Sequence, residues 1–244
     1  MDPVIAEKLW NWAERYNNPR YFEEDPIAFP RRFAAHLDPV EPTLGFGGEA
    51  GNSSLQDVEI AAVFAAHLAW GRRAMIVRDC SRLFDEMMWK PYDYVMAGDW
   101  RSDNSSLHRT VKWSEIARIC KRLKDFYEAH QSLEILSADE MRTVVYGQKE
   151  DPKAANKKIW MLRRWMVRDD GKVDLGLWKN SDKRDLVIPL DVHVYRQAVE
   201  LGLTKRRAKD IVTARDITDA FREIFPDDPA KGDFALFGYG VNNA

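Results

Sequence analysis

The sequence predicts an all-α protein. Apolar residues recur at three- and four-residue spacing along most of the chain, alternating strand patterns are nearly absent, and cap residues precede several of the periodic runs. The spacing is clearest in Ile60, Val63, Phe64 and Leu68, and again in Ile217, Ala220, Phe221, Ile224 and Phe225. Helices are expected over about 3–16, 55–70, 73–89, 114–129, 132–146, 154–168, 192–201, 204–213 and 217–225, with a last one near 229–238. Asp2 before Pro3 is a cap followed by a first-turn proline, and Thr204 is expected to cap a basic helix. Pro39 to Ser54 contains Gly45-Phe46-Gly47-Gly48 and Gly51-Asn52-Ser53-Ser54 without periodicity, so it reads as a substrate-side loop or a connector. No Lys-Ser or Lys-Thr follows its glycines, which argues against a nucleotide phosphate loop.

At 244 residues, with 45% apolar and 31% charged, the chain can bury a core and is expected to fold as one domain of two lobes. No apolar run approaches the roughly 18 residues that cross a bilayer, and Met1-Asp2-Pro3 lacks a signal-peptide pattern, so no membrane association and a cytoplasmic address are expected. Only Cys80 and Cys120 are present, too few for a disulfide framework or a thiolate cluster. His36, His67, His108, His130 and His193 are scattered, so neither a metal nor another cofactor is expected.

A net charge of −2 suits a nucleic-acid binder only if charge is segregated. Between Lys153 and Arg168 stand the cations Lys153, Lys157, Lys158, Arg163, Arg164 and Arg168 with no acid, and Lys205, Arg206, Arg207 and Lys209 follow downstream. These stretches bracket Asp191, and each alone also reads as a solvated helix face. Acids collect at Glu23-Glu24-Asp25, Asp139-Glu140 and Asp227-Asp228, which read as outer surfaces.

The most informative stretch is Val187-Ile188-Pro189-Leu190-Asp191-Val192-His193-Val194-Tyr195-Arg196, in which an apolar approach ends in proline and an acid opens a helix. Asp191 is either a structural N-cap or an acid–base group placed at the positive end of a helix. Lys157-Lys158 begin a largely apolar helix, Ile159 to Val167. An amine there is a candidate nucleophile, with phosphate contact as the plain alternative.

The segment Ile188 to His193, preceded by a lysine-bearing helix, resembles the active site of 8-oxoguanine DNA glycosylases of the helix-hairpin-helix superfamily. Nearly the whole chain is similar to a bacterial family of that superfamily catalogued as a domain of unknown function. The similarity runs through Tyr16-Asn17-Asn18-Pro19, Asp25-Pro26-Ile27-Ala28-Phe29-Pro30, Asp57-Val58-Glu59-Ile60-Ala61, Ala69-Trp70-Gly71-Arg72, Arg164-Trp165-Met166-Val167-Arg168, Asp174-Leu175-Gly176-Leu177-Trp178 and Asp233-Phe234-Ala235-Leu236-Phe237-Gly238. Lys157 aligns with the family's lysine, and Lys158 is its neighbour. The Gly-x-Gly hairpin usual before that lysine is replaced by Lys153-Ala154-Ala155-Asn156.

The resemblance implies a two-lobed helical bundle with a cleft, lobe A spanning about 55–150 and lobe B about 1–54 plus 151–244. It implies a monomeric DNA glycosylase that flips a modified base out of double-stranded DNA and excises it, leaving an abasic site, with lyase activity if the amine attacks. Asp191 would assist base departure and Lys157 or Lys158 would attack the sugar. The substrate would be a hypermodified phage base such as a modified hydroxymethylcytosine, in antiviral defence, or an oxidised purine such as 8-oxoguanine, in base excision repair. A non-catalytic DNA-binding protein on the same scaffold is the alternative. Expected DNA and substrate contacts are His193, Trp70, Arg72, His108, Arg109, Arg164, Trp178, Arg196, Asp233, Phe234 and Phe237, with Phe234 and Phe237 closing over the extruded base.

Overall fold

The computed structural model describes residues 1–37 and 53–242, and the loop expected over Pro39 to Ser54 lies outside them except for its last two residues. The described chain is predominantly helical: α1 Pro3–Tyr16, α2 Ala28–Ala34, α3 Leu55–Leu68, α4 Arg73–Glu86, α5 Pro91–Ala97, α6 Trp113–Tyr127, α7 Ala138–Val144, α8 Lys157–Val167, α9 Val192–Glu200, α10 Ile211–Arg222 and α11 Gly232–Asn242. One antiparallel hairpin, β1 Ser106–His108 with β2 Val111–Lys112, is the sheet seen among these residues. No described helix is long and apolar enough to cross a membrane.

The chain folds as two compact units. One comprises residues 1–22, 137–142 and 149–244, and the other residues 23–136 and 143–148. Residues 23–37, expected with the terminal lobe, belong to the middle unit, because α2 packs on α3 and turns Phe29 and Phe33 onto Phe84.

In the terminal unit the core joins Leu9 and Ala13 of α1, Val194 and Ala198 of α9, Ile217 and Phe221 of α10 and Leu236 of α11, all fully buried. α1 starts where the sequence places it, since Asp2 accepts from the N–H groups of Val4 and Ile5. Helix α11 packs against α1 and α9. At its first residue, Gly232, a Cβ would lie 2.2 Å from the ring of Phe221, so a side chain there would force α11 away from α10.

In the middle unit α3 is buried along nearly its whole length, which its continuous apolar run requires. Ser54 and Asp57 form a reciprocal capping box at its start. Fully buried Glu59 accepts hydrogen bonds from Tyr127 Oη (2.8 Å), Ser132 Oγ (2.5 Å) and the Leu133 N–H (3.0 Å), tying α3 to the end of α6.

Two expected helices are corrected. The helix over 132–146 is a short 3-10 turn, Leu133–Ile135, followed by α7, which restarts at Ser137. There Ser137 Oγ accepts from the Glu140 N–H while Glu140 accepts from the Ser137 N–H. The helix over 204–213 is absent up to Asp210, and Thr204 caps nothing helical. Instead Asp210 caps α10 through the Thr213 N–H, and Arg206 is drawn to Asp210 and Thr213 Oγ1.

Candidate active site

Asp191 is positioned by the segment before it. Val187 to Leu190 are buried, and the Ile188 N–H donates to Thr218 Oγ1 at 3.0 Å, which pins this strand-like approach onto α10. Asp191 then caps α9 from an extended backbone, and its Oδ1 accepts both the His193 and Val194 N–H groups at 2.8 Å. Both bonds fall on one oxygen, so among the described residues Oδ2 is left without a hydrogen-bond donor on a half-buried side chain.

Lys157 is the first residue of α8, and Lys158 the second; both are half-buried. The residue before them, Asn156, has a left-handed φ of 46°, a conformation asparagine adopts more readily than most L residues. Asn156 accepts from Arg142 Nη1 at 3.0 Å and donates to Asp139 at 3.2 Å, so its own side chain holds the turn that a glycine would otherwise supply. The Ile211 N–H donates to the Lys153 carbonyl, fastening the same turn to the start of α10.

A third group joins the two sequence candidates. Asp233 at the start of α11 is buried, and its carboxyl is pushed up to about 6: burial raises it, the charge of Arg164 opposes that, the charge of Asp191 raises it further and that of Lys157 lowers it. Asp191, Lys157 and Asp233 therefore share one electrostatic neighbourhood. Neighbouring positions on a helix point about 100° apart, so Lys158 addresses a different direction from Lys157.

Beneath Asp233 runs a buried ionic network. Arg164 donates to Asp233 and, at 3.3 Å, to Asp174; Arg168 donates to Asp174, to Asp228 at 2.8 and 2.7 Å, and to Asp170 at 3.0 Å. Two guanidiniums are shared among these four carboxylates. The network fixes the entry of α11 relative to α8.

Several expected contacts are corrected by their burial. Arg164 is 4% exposed and committed to Asp174 and Asp233, so it does not meet a phosphate. Trp178 and Phe234 are each 1% exposed; Phe234 lies under the Arg164 guanidinium at 4.5 Å and against Phe22, so it supports the network and does not close over a base. Asp233 acts from below. By contrast His193 and Phe237 are half-buried and meet edge to face at 6.5 Å, and Arg196 is exposed on α9. Asp25 and Asp228, read as surface acids, instead hold Arg73 and Arg168.

The remaining candidates lie in the middle unit. His108 is fully buried with both ring nitrogens engaged, Nδ1 on Asp79 at 2.8 Å and Nε2 on the Trp70 carbonyl at 2.9 Å, so it contacts no ligand itself. Asp79 was not legible as a site residue. Burial raises its carboxyl, but hydrogen bonds from Arg78, His108 and Arg82 outweigh that and hold it below the usual range. Trp70, Arg72 and Arg109 are exposed. Among the described residues no group of His, Cys, Asp and Glu is arranged to hold a metal ion.

Fold and site together define a helical protein in which a helix-capping carboxylate, a helix-opening lysine and a buried carboxyl act on one another. The chain belongs to the family described as "Protein of unknown function (DUF2400)", whose model matches residues 50–149 and 141–242. No curated protein and no solved structure matches it.

Proposed function

We infer that the protein is a DNA glycosylase of the helix-hairpin-helix type, two-lobed and monomeric, that excises a modified base from double-stranded DNA. The single observation behind this reading is that Arg164 of α8, the helix Lys157 opens, holds Asp233 at the start of α11, which packs against α9, the helix Asp191 caps. The alternative, a binding protein that has lost turnover, has no need of that arrangement.

The chemistry follows from the groups. As the N-glycosidic bond breaks, the base leaves with the electron pair and positive charge grows on the sugar, where the Asp191 carboxylate stabilises it. Oδ1 is occupied by the α9 cap, which leaves Oδ2 for this role. The Lys157 amine attacks C1′, loses a proton and opens the ring to a Schiff base, whose elimination of the 3′ phosphate gives a strand break; attack by water instead leaves an intact abasic site. His193 and Phe237 supply an aromatic edge two residues from Asp191 and on the facing helix.

The test is release of free bases, read by mass spectrometry, from a panel of DNAs carrying hypermodified phage cytosines and oxidised purines. One class of base is expected to be released by the wild-type chain and not by Asp191→Asn. No release from any member of the panel would overturn the reading.

A further inference from the structure

We propose that Trp70 and Arg109 form a stacking platform for an unpaired nucleobase, with Arg109 and Arg72 taking the adjoining phosphates. The platform lies entirely in the middle unit, apart from the residues assigned to chemistry. It rests on the glycosylase reading for its partner, a DNA strand, but not for its geometry.

Trp70 is 39% exposed, large for a tryptophan, and the Arg109 guanidinium covers one side of its ring at 4.5 Å. Three costly local features produce that display. Gly71 has φ +106°, and a Cβ on it would lie 2.8 Å from Arg109 Nη1 and 3.2 Å from Arg109 Cδ, so the arginine lies across a glycine. Arg109 itself takes a left-handed φ of 53° in the β1–β2 turn, uncommon for a non-glycine residue. Below, the buried His108 and Asp79 tie that turn to α4 and to the Trp70 carbonyl, and the Trp70 and His108 rings meet edge to face at 5.5 Å.

The charge pattern selects the partner. Around the platform Arg73 pairs with Asp25, and Arg78 and Arg82 pair with Asp79, but Arg72 and Arg109 have no carboxylate partner among the described residues. Two unneutralised arginines beside an exposed indole match the chemistry of a nucleic-acid strand, in which a base offers a π-face and phosphates flank it. A base still stacked in a duplex has no free face. The ligand is thus a base that has lost its neighbour, in single-stranded DNA or beside an extruded nucleotide in a duplex, and His108 is a positioning residue for it.

The experiment measures binding by fluorescence anisotropy of the full chain to a single-stranded oligonucleotide, to a duplex with one abasic position and to an intact duplex, between 50 and 200 mM salt. Trp70→Ala is expected to weaken the first two by roughly tenfold and the intact duplex little, with Trp70→Phe retaining most of the affinity. Arg109→Ala is expected to flatten the salt dependence on single strands by about 0.7 in log–log slope, and Arg109→Lys to restore it. Equal affinities of wild type, Trp70→Ala and Arg109→Ala, with base release intact, would overturn the platform alone. Trp70-dependent binding without base release from any modified DNA would overturn the glycosylase reading and leave the platform standing. A wild-type chain that binds no DNA would overturn both.

Discussion

Replacing Asp191 separates its two roles, because asparagine and alanine differ in what they keep. Oδ1 accepts the His193 and Val194 N–H groups at the start of α9, and an asparagine carbonyl accepts the same two bonds. Asp191→Asn therefore leaves the cap in place and removes only the charge. Alanine removes cap and charge together, costing about 1–2 kcal/mol of cap energy, which for a chain of this size lowers Tm by about 2–8 °C. Asparagine should lower it by less than about 2 °C. Base release depends on charge at the developing sugar cation, so both variants should lose on the order of 10²- to 10⁴-fold in single-turnover rate with DNA saturating. The expected signature is two variants nearly equal in chemistry and unequal in melting. An Asp191→Asn protein that releases base at the wild-type rate would make Asp191 a cap and nothing more.

Lys157→Ala should abolish the covalent adduct that borohydride traps between enzyme and cleaved DNA, while Lys158→Ala keeps it; the opposite pattern would move the nucleophile by one residue. Asp233 has a carboxyl raised to about 6 in the folded chain, so the folded state holds its proton longer than the unfolded one. The stability this gives is complete below the unfolded value near 3.8 and is lost as pH rises through 6, a change of up to about 3 kcal/mol. Urea melts of wild type and Asp233→Asn between pH 4 and 7 should accordingly diverge in favour of the variant as pH rises, and a constant difference would refute the raised carboxyl. Glu59→Ala should strip the acceptor from Tyr127, Ser132 and the Leu133 N–H and destabilise the chain by at least about 3 kcal/mol, seen as a Tm lower by about 6 °C or more.

What could be read from the sequence was what local chemistry decides. Asp2-Pro3 and Leu190-Asp191 are caps whose partners lie two and three residues away, and α1 and α9 start where those residues indicate. The missed starts obey the same rule with weaker signals: Ser137-x-x-Glu140 is a capping box inside a stretch whose apolar period continues through it, and Asp210 caps α10 through the Thr213 N–H. Helices α2 and α5 span seven residues each, about two turns, too short for a period to stand out. Lys157 and Asp191 were legible as residue types. That they work in one site was expected only from the resemblance, and the buried role of Asp233, a further 42 positions along the chain, was not legible.

The net charge of −2 shows why composition alone misleads here. Several of the acids that offset basic residues in the count are spent inside. Asp170, Asp174, Asp228 and Asp233 surround Arg164 and Arg168, so two of the six cations between residues 153 and 168 never reach solvent as free charge. At Asp79 a single buried carboxylate holds buried His108 together with Arg78 and Arg82, whose side chains stay exposed. A nucleic-acid strand meets the cations left over at the surface, not the sum. In the stretch after α9, Arg206 is committed to Asp210, whereas Lys205, Arg207 and Lys209 are exposed on non-helical chain that Tyr195 holds through a hydrogen bond to the Arg206 carbonyl. Part of the charge is thus taken out of reach in buried ionic clusters, a pattern that a run of basic letters cannot display and that requires partners far apart in the chain, as Arg164 and Asp233 are.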